Sequence, residues 1–259
     1  MNYEREHELA KVAALKAGEA IMAVYATAFK VDHKSPEQPI TEADRQANQI
    51  IQKTLLDAFP DDGWLSEETL DNHERLKKKR VWIVDPLDGT KEFINHIPEF
   101  AVSIGLSVDG EAVVGAIYNP STKELFHGFQ GGGAFLNGEK ISVSKTTDLA
   151  NAKILASRSE IKRGEWENFD KKFDVIKSGG MAHKMSVVVR GMADGSFSLS
   201  PKNEWDFAGG TLLMQEAGGI VSHKDGSPIT FNKDNPRTGD IVYGNKSIHK
   251  QLLDILHGR

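Results

Sequence analysis

Apolar residues recur at helical spacing near the start of the chain. Leu9, Ala13, Ala17, Ala20 and Val24 form a stripe that Ile21 and Tyr25 widen, which predicts a helix over 4–30. A second stripe, Ala47, Ile51, Leu55 and Phe59, predicts a helix over 43–59. Thr41 suits its N-cap, and Asp44 suits its first turn, where the helix dipole favours an anion. Between the two, residues 32–39 are polar and proline-marked and read as a loop. Residues 60–63 form a turn, and Trp64-Leu65 then leads as a short strand into two adjacent acids, Glu67 and Glu68. Residues 81–84 are an apolar run that reads as a buried strand, broken at Pro86 and Gly89.

Beyond Thr90 the pattern becomes β-rich. Strands are predicted over 100–108, 112–118, 124–128, 134–136 and 141–143, with Asp109-Gly110 and Asn137-Gly138 as turn signals. Gly131-Gly132-Gly133 reads as a bend, because no Lys-Ser/Thr pair or helical pattern follows as a phosphate loop requires. From Ser144 strands and helices alternate. Strands are expected at 154–156, 173–176, 196–199, 220–221 and 241–243. Helices are expected at 164–172, 182–191, 207–217 and from Ser247, as cap, to Leu256. Residues 201–204 read as a loop, Asp206 as the N-cap of the 207–217 helix, and Gly218 as its C′ residue. The pattern divides into an α+β part, 1–143, and an α/β part, 144–259.

Composition narrows the function classes. The 259 residues carry a net charge of −5, which gives no general attraction for a nucleic-acid polymer. Without cysteine there is no disulfide, thiolate nucleophile or zinc–thiolate site. The N-terminus is charge-dense rather than signal-like, and no apolar stretch is long enough to span a membrane. A soluble cytoplasmic protein is the expectation.

Four acids fall at the ends of predicted elements: Glu67, Asp85, Asp88 and Asp206. Each has a bland explanation. Asp85 and Asp88 suit a turn, Asp206 a helix cap, and Glu67 a strand running into solvent. Strand alternation puts Glu67, rather than Glu68, on the face of Leu65. Taken together they are hard oxygen ligands suited to Mg²⁺ or Mn²⁺, and two divalent ions would balance their charge. Paired metals would clamp a phosphoryl group without any side-chain nucleophile.

The motifs that carry these acids resemble the inositol monophosphatase superfamily of lithium-sensitive, magnesium-dependent phosphomonoesterases. They are Leu65-Ser66-Glu67-Glu68-Thr69, Trp82-Ile83-Val84-Asp85-Pro86-Leu87-Asp88-Gly89-Thr90, and Trp205-Asp206-Phe207-Ala208-Gly209-Gly210 followed by Glu216-Ala217-Gly218-Gly219. The segment Gly133-Ala134-Phe135-Leu136-Asn137-Gly138 matches too. The resemblance spans essentially the whole chain. It implies a layered αβαβα sandwich of the inositol monophosphatase and fructose-1,6-bisphosphatase type. It also implies two or three Mg²⁺ per site, with Mn²⁺ able to substitute. Glu67, Asp85 and the Leu87 carbonyl would hold the first metal, and Asp85, Asp88 and Asp206 the second. Glu67 would also hold a looser third. Thr90 would sit beside the attacking water with Asp44 bonded to it, and the Gly89 and Thr90 amides would bind phosphate oxygens. Catalysis would be in-line attack by metal-activated water, with no covalent phosphoenzyme.

Substrate cues point in two directions. Lys91-Glu92-Phe93-Ile94, Ser157-Arg158-Ser159 and Glu204-Trp205-Asp206 resemble the CysQ-type 3′(2′),5′-bisphosphate nucleotidases, which act on 3′-phosphoadenosine 5′-phosphate. The chain departs from them at 196–200, where an aromatic-Pro-Arg run is replaced by Ser-Phe-Ser-Leu-Ser. Residues 96–105 lean toward inositol-1-monophosphatases. Lys184 and Lys202 are candidates for a second phosphate, and Glu204 for a sugar or inositol hydroxyl. The bisphosphate nucleotide is the preferred expectation, with inositol phosphate or another sugar phosphate next. A metal-binding regulatory protein without activity is the alternative of another class. A small phosphorylated metabolite is the expected partner, without a nucleic-acid polymer or membrane. A homodimer is compatible with this picture.

Overall fold

The computed structural model describes residues 3–35, 38–169, 172–198 and 200–257. The chain opens with α1 (Glu4–Tyr25), a hairpin of β1 (Val31–Ser35) and β2 (Gln38–Thr41), and α2 (Glu42–Leu56). Next come β3 (Gly63–Ser66), β4 (Arg80–Asp88), α3 (Thr90–Ile94) and β5 (Ala101–Val108). The meander continues through β6 (Glu111–Asn119), β7 (Glu124–Phe129), β8 (Gly133–Leu136) and β9 (Glu139–Lys140). The second half holds β10 (Lys153–Ser157), α4 (Arg158–Lys162), β11 (Asp174–Ser178), α5 (Met181–Val189), β12 (Gly195–Ser198) and β13 (Lys202–Asn203). It ends with α6 (Glu204–Glu216), β14 (Gly219–Ser222), β15 (Arg237–Thr238), β16 (Ile241–Asn245) and α7 (Lys246–His257).

Two sheets organise these elements. Strands β3 to β9 lie in sequence order in a seven-stranded sheet, and five strands form a second sheet in the order β11-β10-β12-β16-β14. The alanine-rich stripe of α1 packs with Ile51 and Leu55 of α2 on one face of the first sheet, against Trp82, Val84, Val102 and Ile104. Helices α5 and α6 fill the space between the sheets through Met185, Val188, Phe207 and Leu212, which share a core with Ile83, Ile117, Leu155 and Tyr243. Helix α7 covers the outer face of the second sheet with Ile248, Leu252 and Leu256. The layers are therefore α, β, α, β, α, as the resemblance implied. Burial on both faces explains why β4 and β5 read as continuous apolar runs rather than alternating ones.

Several local expectations are corrected. The first helix stops at Tyr25 rather than at 30, and the second spans Glu42–Leu56. The proline-marked stretch is the β1–β2 hairpin, whose Val31 pairs with Thr41 and Asp32 with Ile40; Pro36 and Glu37 lie outside the described residues. No strand forms over 141–143, because the Val143 amide donates to the Ala217 carbonyl at the end of α6. The predicted 164–172 helix is a run of turns, with α4 ahead of it and Gly164 at φ +79° between; Asp170 and Lys171 lie outside the described residues. Helix α6 begins at Glu204, so its N-cap is Asn203 and Asp206 is the third helical residue. The last helix is capped by Asn245, whose Oδ1 accepts from the Ser247 and Ile248 amides. Gly218 does take the left-handed C′ conformation, at φ +87°.

Close approach of α6 to the first sheet depends on glycine. A Cβ on Gly209 would lie 2.7 Å from the Ile104 carbonyl oxygen, and one on Gly115 would press on the Gly209 carbonyl. The conflict is with backbone, which cannot swing aside. We expect Gly115→Ala to lower the unfolding free energy by about 1–3 kcal/mol, the usual cost of overpacking. Urea denaturation at unchanged m-value checks this, and a wild-type midpoint would contradict the close packing.

Candidate active site

Strand β4 does not end at Val84 as its sequence suggests. It runs on to Asp88, and its register against β5 slips there: Asp85 faces Ser103, and Asp88 faces Ala101. Three steps on β4 thus match two on β5, which is a one-residue bulge. Residues three apart on a regular strand point to opposite faces. The bulge removes that opposition, and both carboxylates line one cavity of about 260 Å³. Pro86 is tolerated because a bulge needs no ladder hydrogen bond from it. Gly89 then turns the chain at φ +85°, where a Cβ would stand 2.8 Å from the Glu99 carbonyl oxygen.

The other acids arrive from different elements. Strand β3 runs parallel to β4 and delivers Glu67 just beyond its end. Helix α6 delivers Asp206 from its first turn, where Asp206 Oδ2 accepts the Asn203 amide at 2.8 Å in a capping box. One carboxylate oxygen from each of Glu67, Asp85 and Asp206 lies within 4.8 Å of the others. Burial pushes the Asp85 carboxyl well above its ordinary range, with repulsion from Glu67, Asp88 and Asp206 adding to it. Burial, then Glu67, raises Asp206 to about 7. Hard oxygens converging at this spacing are the donor set a divalent magnesium-like ion takes, so the residues fit such an ion.

Asp88 is held differently. Its carboxylate accepts from the Met181, Ala182 and His183 amides, at 2.9, 2.7 and 3.3 Å, at the start of α5. Burial raises its pKa, while Lys184 and these amides oppose the rise. It lines the same cavity, but its oxygens are not among the three that converge most closely.

Thr90 and Asp44 meet as the resemblance implied. Thr90 Oγ1 lies 3.0 Å from Asp44 Oδ1 and 3.1 Å from the Leu87 carbonyl oxygen. Asp44 Oδ2 in turn accepts the Thr41 amide and hydroxyl, both at 2.7 Å. Thr41 and Asp44 therefore cap α2 and hold the Thr90 hydroxyl with the same groups.

The substrate candidates separate. Lys184 lines the cavity and donates to the Gly180 carbonyl at 3.0 Å; burial lowers its pKa. Lys202 also lines it, and is anchored 3.0 Å from the buried Glu160 carboxylate. Glu204 is not brought to the cavity. It is 2 % exposed, and its two oxygens accept the Asn232 and Lys233 amides at 2.7 and 2.9 Å, so its carboxylate pins that loop. Lys34 was missed by sequence reasoning. Its ammonium sits 2.6 Å from Glu67 and 2.7 Å from Glu68, placing a cation against the acids from the hairpin taken for a loop. No alternation marked the strand, since Val31-Asp32-His33-Lys34-Ser35 holds a single apolar residue and two prolines follow.

The sequence pattern of the inositol monophosphatase family matches residues 2–258.

The chain belongs to the inositol monophosphatase family.

An inositol-1-monophosphatase of Mesorhizobium japonicum is 37% identical over 251 residues, covering 93% of this chain and 92% of that one. The Nus factor SuhB of Escherichia coli is 34% identical over 252 residues, covering 93% and 91%. Among solved structures, an inositol monophosphatase from Anabaena superposes with a TM-score of 0.85 at 29% identity, covering 100% of this chain and 97% of that one. Phosphomonoester hydrolysis is the family's activity, and magnesium dependence is general in it. No helix among the described residues is long and apolar enough to cross a membrane.

The raised carboxyls give a linkage test. A carboxyl raised in the fold stabilises it fully below its unfolded value, and that stability is lost as pH rises through the folded value, here about 7 for Asp206. A divalent ion binds the deprotonated acids, so it restores most where the proton has gone. We expect the rise in Tm on adding Mg²⁺ to be several degrees larger at about pH 8 than at about pH 5.5. Equal rises at both would contradict binding at these acids.

Proposed function

We propose that this member of the inositol monophosphatase family is a divalent-metal-dependent phosphomonoesterase acting on a small polyol phosphate, with inositol 1-phosphate as the first substrate to test. The observation that carries the reading is the convergence of Glu67, Asp85 and Asp206 beside the Thr90–Asp44 pair in one cavity. Glu67, Asp85, the Leu87 carbonyl, Asp88 and Asp206 would hold the ions, which when bound supply Lewis acidity and an acidified water.

The chain's own groups do the rest. Asp44, fixed by two Thr41 donors, accepts from Thr90, which leaves the Thr90 oxygen to accept from a water and aim it at phosphorus. Gly89 and Thr90 line the cavity where the phosphate would sit. Lys184, beside Asp88, and Lys202, beside Glu160, line the same cavity and add positive charge to it.

Two observations favour a monophosphate. Lys202 is already matched by Glu160, and two relatives, at 37% and 33% identity, are named inositol-1-monophosphatases. The 3′(2′),5′-bisphosphate nucleotide is the second reading, supported by Lys184 and Lys202 in the cavity. An inactive metal-binding regulator is the third, and the intact set of acids with Thr90 speaks against it.

With Mg²⁺, phosphate release from inositol 1-phosphate is expected, and EDTA should abolish it without unfolding the protein. Full activity in EDTA would sink the reading. Thr90→Ala should lower kcat by about 100-fold, the low end of what a positioned proton-transfer group contributes. Turnover within a few-fold of wild type would remove Thr90 from the chemistry.

A further inference from the structure

We propose that Glu160 is a positioning residue that holds the Lys202 ammonium off the acids where a divalent ion would bind, and so keeps those acids open to the ion. The proposal deepens the metal-dependent reading and rests on it. Lys202 lines the acidic cavity together with Asp206, whereas Glu160 stands behind it on α4 and is 2 % exposed. Three side chains converge on the Glu160 carboxylate. Trp166 Nε1 donates to Oε2 at 3.1 Å, Lys202 Nζ donates to Oε1 at 3.0 Å, and the Ser198 hydroxyl donates to the same Oε1. Burial pushes the Glu160 carboxyl up, but Lys202, Ser198 and Lys184 outweigh it and hold the group below its ordinary range. It is therefore a fixed, ionised anchor.

Lys202 has a competing set of partners. It is joined directly to Asn203, whose amide lies 2.8 Å from Asp206 Oδ2. Asp206 is thus within the reach of a flexible four-carbon stem. An ammonium in a cavity with Glu67, Asp85, Asp88 and Asp206 is drawn toward them. Lys34 shows the outcome where no other acid intervenes, for its ammonium rests 2.6 Å from Glu67 and 2.7 Å from Glu68. Lys202 does not follow it. Among the described residues its ion pair is with Glu160, and none within 4.0 Å is formed with the four acids of the cavity.

The bland alternative is that Glu160 merely ties α4 to β12 and to Trp166. A glutamine could meet both Trp166 and Ser198 without the cost of a buried charge. That alternative leaves unexplained why the third partner is a lysine of the cavity. A buried carboxylate paired with a cation is retained at a cost in desolvation. Here the charge has a use, because it competes with Asp206 and its neighbours for the ammonium.

Titration with Mn²⁺ at about pH 8, the free ion being counted by its electron paramagnetic resonance, tests this without turnover. Glu160→Gln should weaken Mn²⁺ binding about tenfold, the scale of one charge-assisted contact that the ion must displace. Adding Lys202→Met to that variant should restore affinity to within about threefold of wild type, since the competitor is gone. No loss in Glu160→Gln, or a loss that persists in the double variant, would overturn the holding role while leaving the metal-dependent reading intact. Wild-type protein that binds no Mn²⁺ would remove both. Should Glu160→Gln not fold, Lys202→Met alone decides. Affinity within about threefold of wild type is expected for a lysine already held aside, whereas binding about tenfold tighter would place Lys202 on the acids and overturn the proposal.

Discussion

Everything at this site follows from carboxylates held closer together than their charges favour. Glu67, Asp85 and Asp206 present oxygens within 4.8 Å of one another, with Asp85 buried and Glu67 and Asp206 half-buried. Left alone, such groups would separate or keep their protons. They cannot separate, because each is fixed by a different rigid element: the end of β3, the bulge of β4 and the first turn of α6; burial and crowding therefore raise the carboxyls of Asp85 and Asp206 instead. The acids are thus preorganised for a cation at the expense of stability in its absence.

The scaffold explains how that convergence is maintained. The bulge turns Asp85 and Asp88 to the same side of β4. The start of α5 then fastens Asp88 with three amides, tying the first sheet to the helical layer. Gly115 and Gly209 let α6 lie against β5 and β6 closely enough for Asp206 to reach the acids. On the opposite side, Arg158 pairs with Glu99, whose carboxylate also accepts the Gly179 amide, so α4 and the entry to α5 are fixed together.

Much of this was legible in the sequence, for identifiable reasons. Buried strands such as 81–84 and 101–108 show as apolar runs, and the stripes of α1 and α2 show at period 3.6. Thr41 and Asp44 were legible because a capping box is local. What escaped depends on tertiary partners. The bulge arises only from pairing with β5. Glu204 looked available to a substrate until the Asn232–Lys233 backbone was seen to consume it. The hairpin carrying Lys34 was hidden by prolines that a two-stranded edge tolerates. Asp206 was displaced from cap to third helical residue because Asn203, three positions earlier, forms the cap. The bisphosphate preference expected from Lys91-Glu92-Phe93-Ile94 remains a matter of substrate contacts, which no local pattern encodes.

The most direct measurement is the thermal stability of Asp206→Asn beside wild type, at about pH 8, with and without Mg²⁺. Asparagine keeps an oxygen for the Asn203 amide, so the cap survives and only the charge is lost. If the acids are crowded for a cation, the metal-free variant will match or exceed metal-free wild type, and most of the Mg²⁺-dependent rise in Tm will vanish. A variant that is less stable without metal and gains as much from Mg²⁺ as wild type would contradict the account.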